Sequence, residues 1–181
     1  MTITLVNKKS VSIRLLEKDD NDLLLAYLQA LSAESRSRFG PHPFDAATVN
    51  DICHHLPGDT SRYIAIDTAS GKIAAYMLVK NGMMEWDRLR YANRQQYFDE
   101  AVMVTYAPSV ADEWQSSGLG SALHAIIEAA LKNKGMATIV LWGGVQATNK
   151  KALGFYTKFG YRIMGAFRQD DKDNYDMLKT L

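Results

Sequence analysis

The sequence predicts an α/β fold in which a mixed sheet carries helices on both faces, and three observations predict it. Ala101 to Tyr106 and Ala137 to Trp142 are near-continuous apolar or β-forming runs, the pattern of strands covered on both sides. Between them Leu119 to Leu131 keeps Leu119, Leu123, Ile126, Ile127, Ala130 and Leu131 on one helical face, so strand, helix and strand form a βαβ unit with a parallel pair. Upstream, Arg62 to Asp67 and Lys72 to Lys80 read as two strands joined at Ser70-Gly71, a hairpin. The chain has 181 residues, 47% of them hydrophobic, which predicts one compact domain over 1–181 burying roughly 70% of its unfolded surface. Such a core needs no staple, and the lone Cys53 cannot close an intrachain bridge.

The remaining elements follow in order. Val11 to Leu16 alternates as a first strand, and Asp19 or Asp20 caps a helix carrying Leu23, Leu24, Tyr27, Leu28 and Leu31 at helical spacing. Ser32 to Pro43 breaks the pattern. A short helix runs from Ala46 or Thr48 to Leu56 and ends at Pro57-Gly58. Gly82 to Asp99, rich in aromatics and arginines, holds either a short helix or a long ordered loop. Pro108 interrupts the strand before it, because proline cannot donate to a ladder; the strand there lies at an edge, at a bulge, or where its neighbour diverges. Lys132 and Lys134 complement the end of the long helix, and Gly135 stops it. A last helix from about Asn149 to Phe159, stopped by Gly160, precedes strands near Tyr161 to Arg168 and Tyr175 to Leu178.

Composition excludes several classes. A formal net charge of +1 argues against an extended nucleic-acid footprint, which needs a basic face. No apolar run approaches the roughly 20 residues of a membrane span. Met1 to Ser10 lacks the charge-first pattern of a secretory signal, so the expected address is cytoplasmic. His54-His55 has no ligand-spaced companions, and no metal is expected. Cys53 reads as an inert small hydrophobe, and His124 as a residue at the boundary of the long helix's apolar stripe.

The segment Ala111-Asp112-Glu113-Trp114-Gln115-Ser116-Ser117-Gly118-Leu119-Gly120-Ser121 carries the chemistry. Its glycines stand where the long helix begins. The first amides of a helix have no internal partner and lie at the positive end of the dipole, so small residues there let a phosphate approach the main chain. The spacing fits neither a Walker loop nor a dinucleotide fingerprint.

Gln115, Gly118 and Gly120 form Gln-x-x-Gly-x-Gly, which resembles the pyrophosphate-binding motif of the GNAT superfamily of N-acetyltransferases. About thirty residues on, Asn149, Ala152 and Tyr156 within Asn149 to Tyr161 are similar to the second half of that family's acyl-CoA site. The resemblance covers a core of about 11–178. It implies a GNAT-type mixed, mostly antiparallel sheet with a parallel βαβ pair splayed at the cofactor site. Acetyl-CoA is then the cosubstrate and a primary amine of a small molecule or protein the acceptor, acetylated by direct attack. A non-catalytic acyl-CoA or CoA-binding module is the alternative.

By the same resemblance Tyr156 is the general acid for the leaving thiolate. Gln115, Ser116, Ser117, Gly118, Leu119, Gly120 and Ser121 hold the diphosphate, Ser109 and Val110 offer main-chain groups to the pantetheine arm, and Asn149 orients the arm or the helix start. The family's strand carboxylate has no counterpart in Val104-Thr105-Tyr106, which leaves Glu100, Glu113 or water as base. Acceptor recognition falls to the first helix, to Ser32–Phe44 and to Gly82–Asp99. Arg36, Arg38, Arg88, Arg90 and Arg94 there either meet an anionic acceptor or pair with Asp87, Asp99 and Glu100. Ser32 to Ser35 with Arg38-Phe39 resembles a branch that includes protein-lysine acetyltransferase domains. The aromatics of Gly82–Asp99 form either a substrate lid or a homodimer surface.

Overall fold

A computed structural model describes residues 1–56 and 58–181. Nine strands order as β1-β2-β3-β4-β5-β6-β9-β7, with β8 on β9. They are β1 (Thr2–Thr4), β2 (Ser10–Leu15), β3 (Thr60–Asp67), β4 (Ile73–Asn81), β5 (Met103–Val110), β6 (Thr138–Leu141), β7 (Val145–Gln146), β8 (Arg162–Gln169) and β9 (Lys172–Thr180). The helices are α1 (Asn21–Ala30), α2 (Ala33–Arg38), α3 (Ala46–His54), α4 (Glu85–Ala92), α5 (Leu119–Asn133) and α6 (Lys150–Lys158). The sheet is mixed: β1–β2, β2–β3, β6–β9, β7–β9 and β8–β9 are antiparallel, whereas β5–β6 is parallel. The expected βαβ unit is therefore β5-α5-β6.

Contacts divide the chain into two compact units, Met1–Val79 with Ala107–Ile127, and Lys80–Tyr106 with Glu128–Leu181. In the first, the alternation of β2 sends Val11 and Ile13 inward, and α1 adds Leu24, Tyr27 and Leu28. Leu119 and Leu123 of α5 are also buried, each such side chain contributing about 1.5–3 kcal/mol. Asp20 stands buried just before α1 with its carboxylate turned away from the helix, accepting both arms of the Arg14 fork at 2.6 and 2.7 Å and the Glu17 amide at 2.8 Å. The β3–β4 turn uses Gly71 at φ +71°, with the Asp67 amide returning to Lys72 O at 2.9 Å.

The second unit closes over Met83, Tyr91, Met103, Val140 and Leu178, with Phe98 and Met164 packed against them. Beside this apolar centre lie Asp87 and Asp176, fully buried and held by arginines of and after α4. Arg90 bonds both aspartates, and Arg94 Nη2 meets Asp176 at 2.8 Å. Asp87 also accepts the Gly143 amide at 3.2 Å; burial pushes its carboxyl up while Arg90 pulls it down. Arg94 lies so close to the β8 bulge at Gly165 that a Cβ there would stand 2.5 Å from its guanidinium.

Several expectations are resolved or corrected. Of the two readings of Gly82–Asp99, the structure has the short helix, α4. Ser32–Pro43 is not structureless: Ser32 caps α2 through Ser35 N. Two short strands, β1 and β7, went unread. At Pro108 the strand continues to Val110 beyond its last β6 partner at Tyr106, which is the diverged neighbour among the three settings open to that proline. His124 is fully buried rather than at a boundary. The α3 stop at Pro57-Gly58 involves Pro57, which lies outside the described residues; α3 itself ends at His54.

Candidate functional site

The glycine-bearing loop belongs to the first unit. After β5 a turn of 3-10 helix (Asp112–Trp114) leads through Gln115 to Gly118 into α5. Two positions take the left-handed region, Ser116 at φ +61° and Gly118 at φ +89°. Glycine has no Cβ to oppose that turn, and a Cβ built on Gly118 meets nothing within 4 Å. The first main-chain bond of α5 runs from Ala122 N to Gly118 O at 3.0 Å, so the amides of Gly118, Gly120 and Ser121 precede the ladder. Leu119 N instead donates to Ser117 Oγ at 3.3 Å, and that hydroxyl donates to Trp114 O at 2.6 Å. Ser116 and Gly118 are exposed, so the donors are open to an anion approaching the helix start.

Gln115 has another job in this geometry. Its Nε2 reaches Ser35 Oγ at 3.2 Å and Asp112 Oδ1 at 3.4 Å, and its amide returns to Asp112 O at 3.2 Å. The motif glutamine thus ties the loop to α2. Asp112 is the centre of that tie, accepting Ser32 N at 2.8 Å, Ser32 Oγ at 2.9 Å and Ser35 Oγ at 2.6 Å. Burial pushes its carboxyl up, but the bonds from Ser32 and Ser35 outweigh that and hold it below the usual range.

Along β5 the parallel register with β6 runs from Met103–Thr138 to Tyr106–Leu141, closed by Trp142 N on Tyr106 O at 3.0 Å. The strand then continues through Ala107, Pro108, Ser109 and Val110. Proline is tolerated where no ladder donor is required of it. Ser109 Oγ shares a buried bond of 2.7 Å with Tyr27 Oη of α1, and Ala111 N reaches Ala74 O of β4 at 2.9 Å.

Asn149 and Tyr156 belong to the second unit. Asn149 caps α6, its Oδ1 accepting Ala152 N at 3.1 Å, and so does the helix-start half of its expected work. Tyr156 is buried on α6, edge-on to Tyr161 with centroids 5.1 Å apart and beside Phe155 at 5.3 Å. Burial pushes its hydroxyl far above the ordinary phenol range, so it keeps its proton at neutral pH.

Of the base candidates, Glu100 holds the Arg88 fork and accepts Met83 N at 3.1 Å; the Arg88 bond keeps its carboxyl below its ordinary value. Glu113 is exposed on the 3-10 turn. The five arginines expected near the acceptor meet partners within the chain: Arg36 the carbonyls of Leu31 and Gln29, Arg38 Glu34, Arg88 Glu100, Arg90 Asp87 and Asp176, and Arg94 Asp176. Asp176 stands 86 residues from Arg90 in sequence, a partnership no local pattern reveals. Sequence reasoning missed Arg62 and His42, whose surroundings come from separate strands and loops.

Solved structures share this architecture. The GNAT domain of S. lividans PAT superposes with a TM-score of 0.76 at 21% identity, covering 100% of this chain and 96% of that one. A GNAT-family acetyltransferase from Streptococcus pneumoniae gives 0.68 at 19%, over 94% and 99%. AAC(6')-Ib in complex with paromomycin and acetyl-CoA gives 0.67 at 17%, over 94% and 93%. No curated protein matches the chain in sequence. The model of the acetyltransferase (GNAT) family matches residues 25–161, which run from within α1 through the loop at the start of α5 and all of α6, and the chain belongs to that family.

Proposed function

We propose that the protein transfers an acetyl group from acetyl-CoA to a primary amine of a small molecule or protein by direct attack. The observation that carries this reading is the run of main-chain donors at exposed Gly118 and half-buried Gly120 and Ser121, ahead of the first α5 bond. Such donors at the positive end of a 15-residue helix fit a diphosphate. Ser116, Ser117 and Leu119 shape that cradle, and Gln115 acts by anchoring it to Ser35 and Asp112. Main-chain groups of Ser109 and Val110 bond the pantetheine arm, and Asn149 fixes the start of α6.

In the reaction the amine nitrogen attacks the thioester carbonyl carbon, the C–S bond breaks, and the sulfur leaves as coenzyme thiolate. Tyr156 donates its phenolic proton to that sulfur. The amine's surplus proton passes to water, since Glu100 is engaged by Arg88. The test is a calorimetric titration with CoA, followed by thiol release from acetyl-CoA against peptides, polyamines, amino acids and aminoglycosides. CoA binding with turnover of at least one amine is expected. Binding without turnover would reduce the protein to a CoA-holding module, and no binding would end both readings.

A further inference from the structure

In the first unit, Arg62 meets no carboxylate among the described residues. Arg62 on β3 donates Nε–H to Tyr76 Oη on β4 at 3.1 Å. Its Nη1 is buried and meets no acceptor among the described residues. The other arginines of known contact in the interior, Arg14, Arg90 and Arg94, hold carboxylates. Burying part of a guanidinium with no anion to answer it is unfavourable.

Next to it a second group is left over. His42 is ringed by Phe39, Phe44 and Tyr76, with centroids 5.6, 6.2 and 5.8 Å away. Its Nδ1 donates to Pro43 O at 2.7 Å, which leaves Nε2 as an acceptor, and that atom is buried without a partner among the described residues. Burial, reinforced by Arg62 and opposed by Pro43 O and Asp45, holds the imidazole below its ordinary pKa, so it is neutral at pH 7. Burial pushes the Tyr76 hydroxyl up to about 12; while it accepts from Arg62, it keeps a proton to donate. Arg62 Nη1 and the Tyr76 hydroxyl are thus two donors and His42 Nε2 one acceptor, gathered around the Tyr76 ring.

We propose that Arg62, Tyr76 and His42 form a subsite for a small carboxylate with an adjacent N–H or O–H group, and that this carboxylate belongs to the acyl acceptor. The inference rests on the acetyltransferase reading. Arg62 Nη1 and Tyr76 O–H bind the carboxylate oxygens, and His42 Nε2 accepts the neighbouring donor. The Tyr27 ring, 6.5 Å from Tyr76, hydrogen-bonds through its hydroxyl to Ser109, on the part of β5 beyond the β6 register. The subsite is thereby connected to the strand segment assigned to the pantetheine arm. This matches an amino acid better than a polyamine.

The test uses the intact protein with free amino acids and their primary carboxamides as probes, read by thiol release from acetyl-CoA and by melting-temperature shift. At least one amino acid is expected to exceed its carboxamide by about tenfold or more in kcat/KM, the scale of one lost charged hydrogen bond. Arg62→Met should erase that preference by raising KM for the acid much more than KM for the carboxamide, whose carbonyl loses only an uncharged acceptor's bond. Tyr76→Phe should weaken the preference in part and replaces Arg62→Met should that variant not fold. Equal use of acids and carboxamides, or a preference surviving in both variants, overturns the subsite. CoA calorimetry keeps the two readings apart. CoA bound without acid preference sinks the subsite alone. Where CoA does not bind, the acetyltransferase reading falls, and the melting shift given by the amino acids decides for the subsite only if carboxamides and Arg62→Met lack it.

Discussion

Replacing Gly118 by alanine isolates the contribution of the loop's backbone. At φ +89°, with nothing within 4 Å of a built Cβ, the new methyl meets no neighbour, and the whole effect comes from an L-residue held in the left-handed region. That strain is about 1–2 kcal/mol. It is relieved if φ turns negative, which rotates the amides of residues 118–121 away from a common focus. Since about 1.4 kcal/mol is tenfold in affinity, CoA binding should weaken about five- to thirtyfold in Gly118→Ala, and further in Gly118→Val, whose branched Cβ tolerates the region least. Gly135 offers a matched control, with φ +75° after α5 and open space at its Cβ. Calorimetric titration with CoA and denaturant melts on both alanine variants make the comparison. Both should lose about 1–2 kcal/mol of stability, and only Gly118→Ala should lose affinity. Unchanged affinity in Gly118→Ala, or an equal loss in Gly135→Ala, refutes the reasoning.

Tyr156→Phe should lower kcat by about 10²–10⁴-fold with KM for acetyl-CoA unchanged; full activity removes Tyr156 from the mechanism. Because burial raises its pKa, the wild-type pH profile should show no alkaline fall attributable to this group at the ordinary phenol value. Asp20→Asn, which weakens the buried bonds to Arg14 and Glu17 N, should cost about 2–3 kcal/mol at pH 7 in urea melts. The Arg14 bond depresses the Asp20 pKa below its ordinary 3.8, so the wild-type advantage is complete above that value and fades as pH falls through the depressed one. An advantage persisting unchanged at the acid end contradicts this. Gly165→Ala sets a methyl 2.5 Å from Arg94 and should cost about 1–3 kcal/mol; in an Arg94→Ala background the same change should cost clearly less, and simple additivity would show that Arg94 is not what the methyl meets.

Legibility in the sequence followed the range of the forces involved. The helix α5 and strand β6 could be read because their apolar pattern is periodic and self-contained, and Gly135 stops the helix as its position implies. The hairpin and α6 were legible for the same reason. Helix α2, Ala-Glu-Ser-Arg-Ser-Arg, has no apolar stripe; what holds its start is Asp112, about 80 residues away. Strands β1 and β7 are too short for periodicity. Pro108 restricts its strand to an edge, a bulge or a diverged neighbour because it lacks a ladder donor, and which of these holds is fixed only by the β6 register ending at Tyr106. The loop of the site was legible from glycine spacing. The role of Gln115 was not, since the motif names the residue while Ser35 and Asp112 determine which way it turns.

The Ser32–Ser35–Asp112 junction bears on the loop in a further respect. An aspartate only three positions before Gln115 would ordinarily repel a doubly charged linker arriving at the α5 amides. Here Oδ1 accepts the Ser32 and Ser35 hydroxyls and Gln115 Nε2, and Oδ2 accepts the Ser32 amide, so four donors from the chain solvate its charge. The start of α2, bonded to Gln115 through Ser35, thereby fixes where that charge stands relative to the first amides of α5.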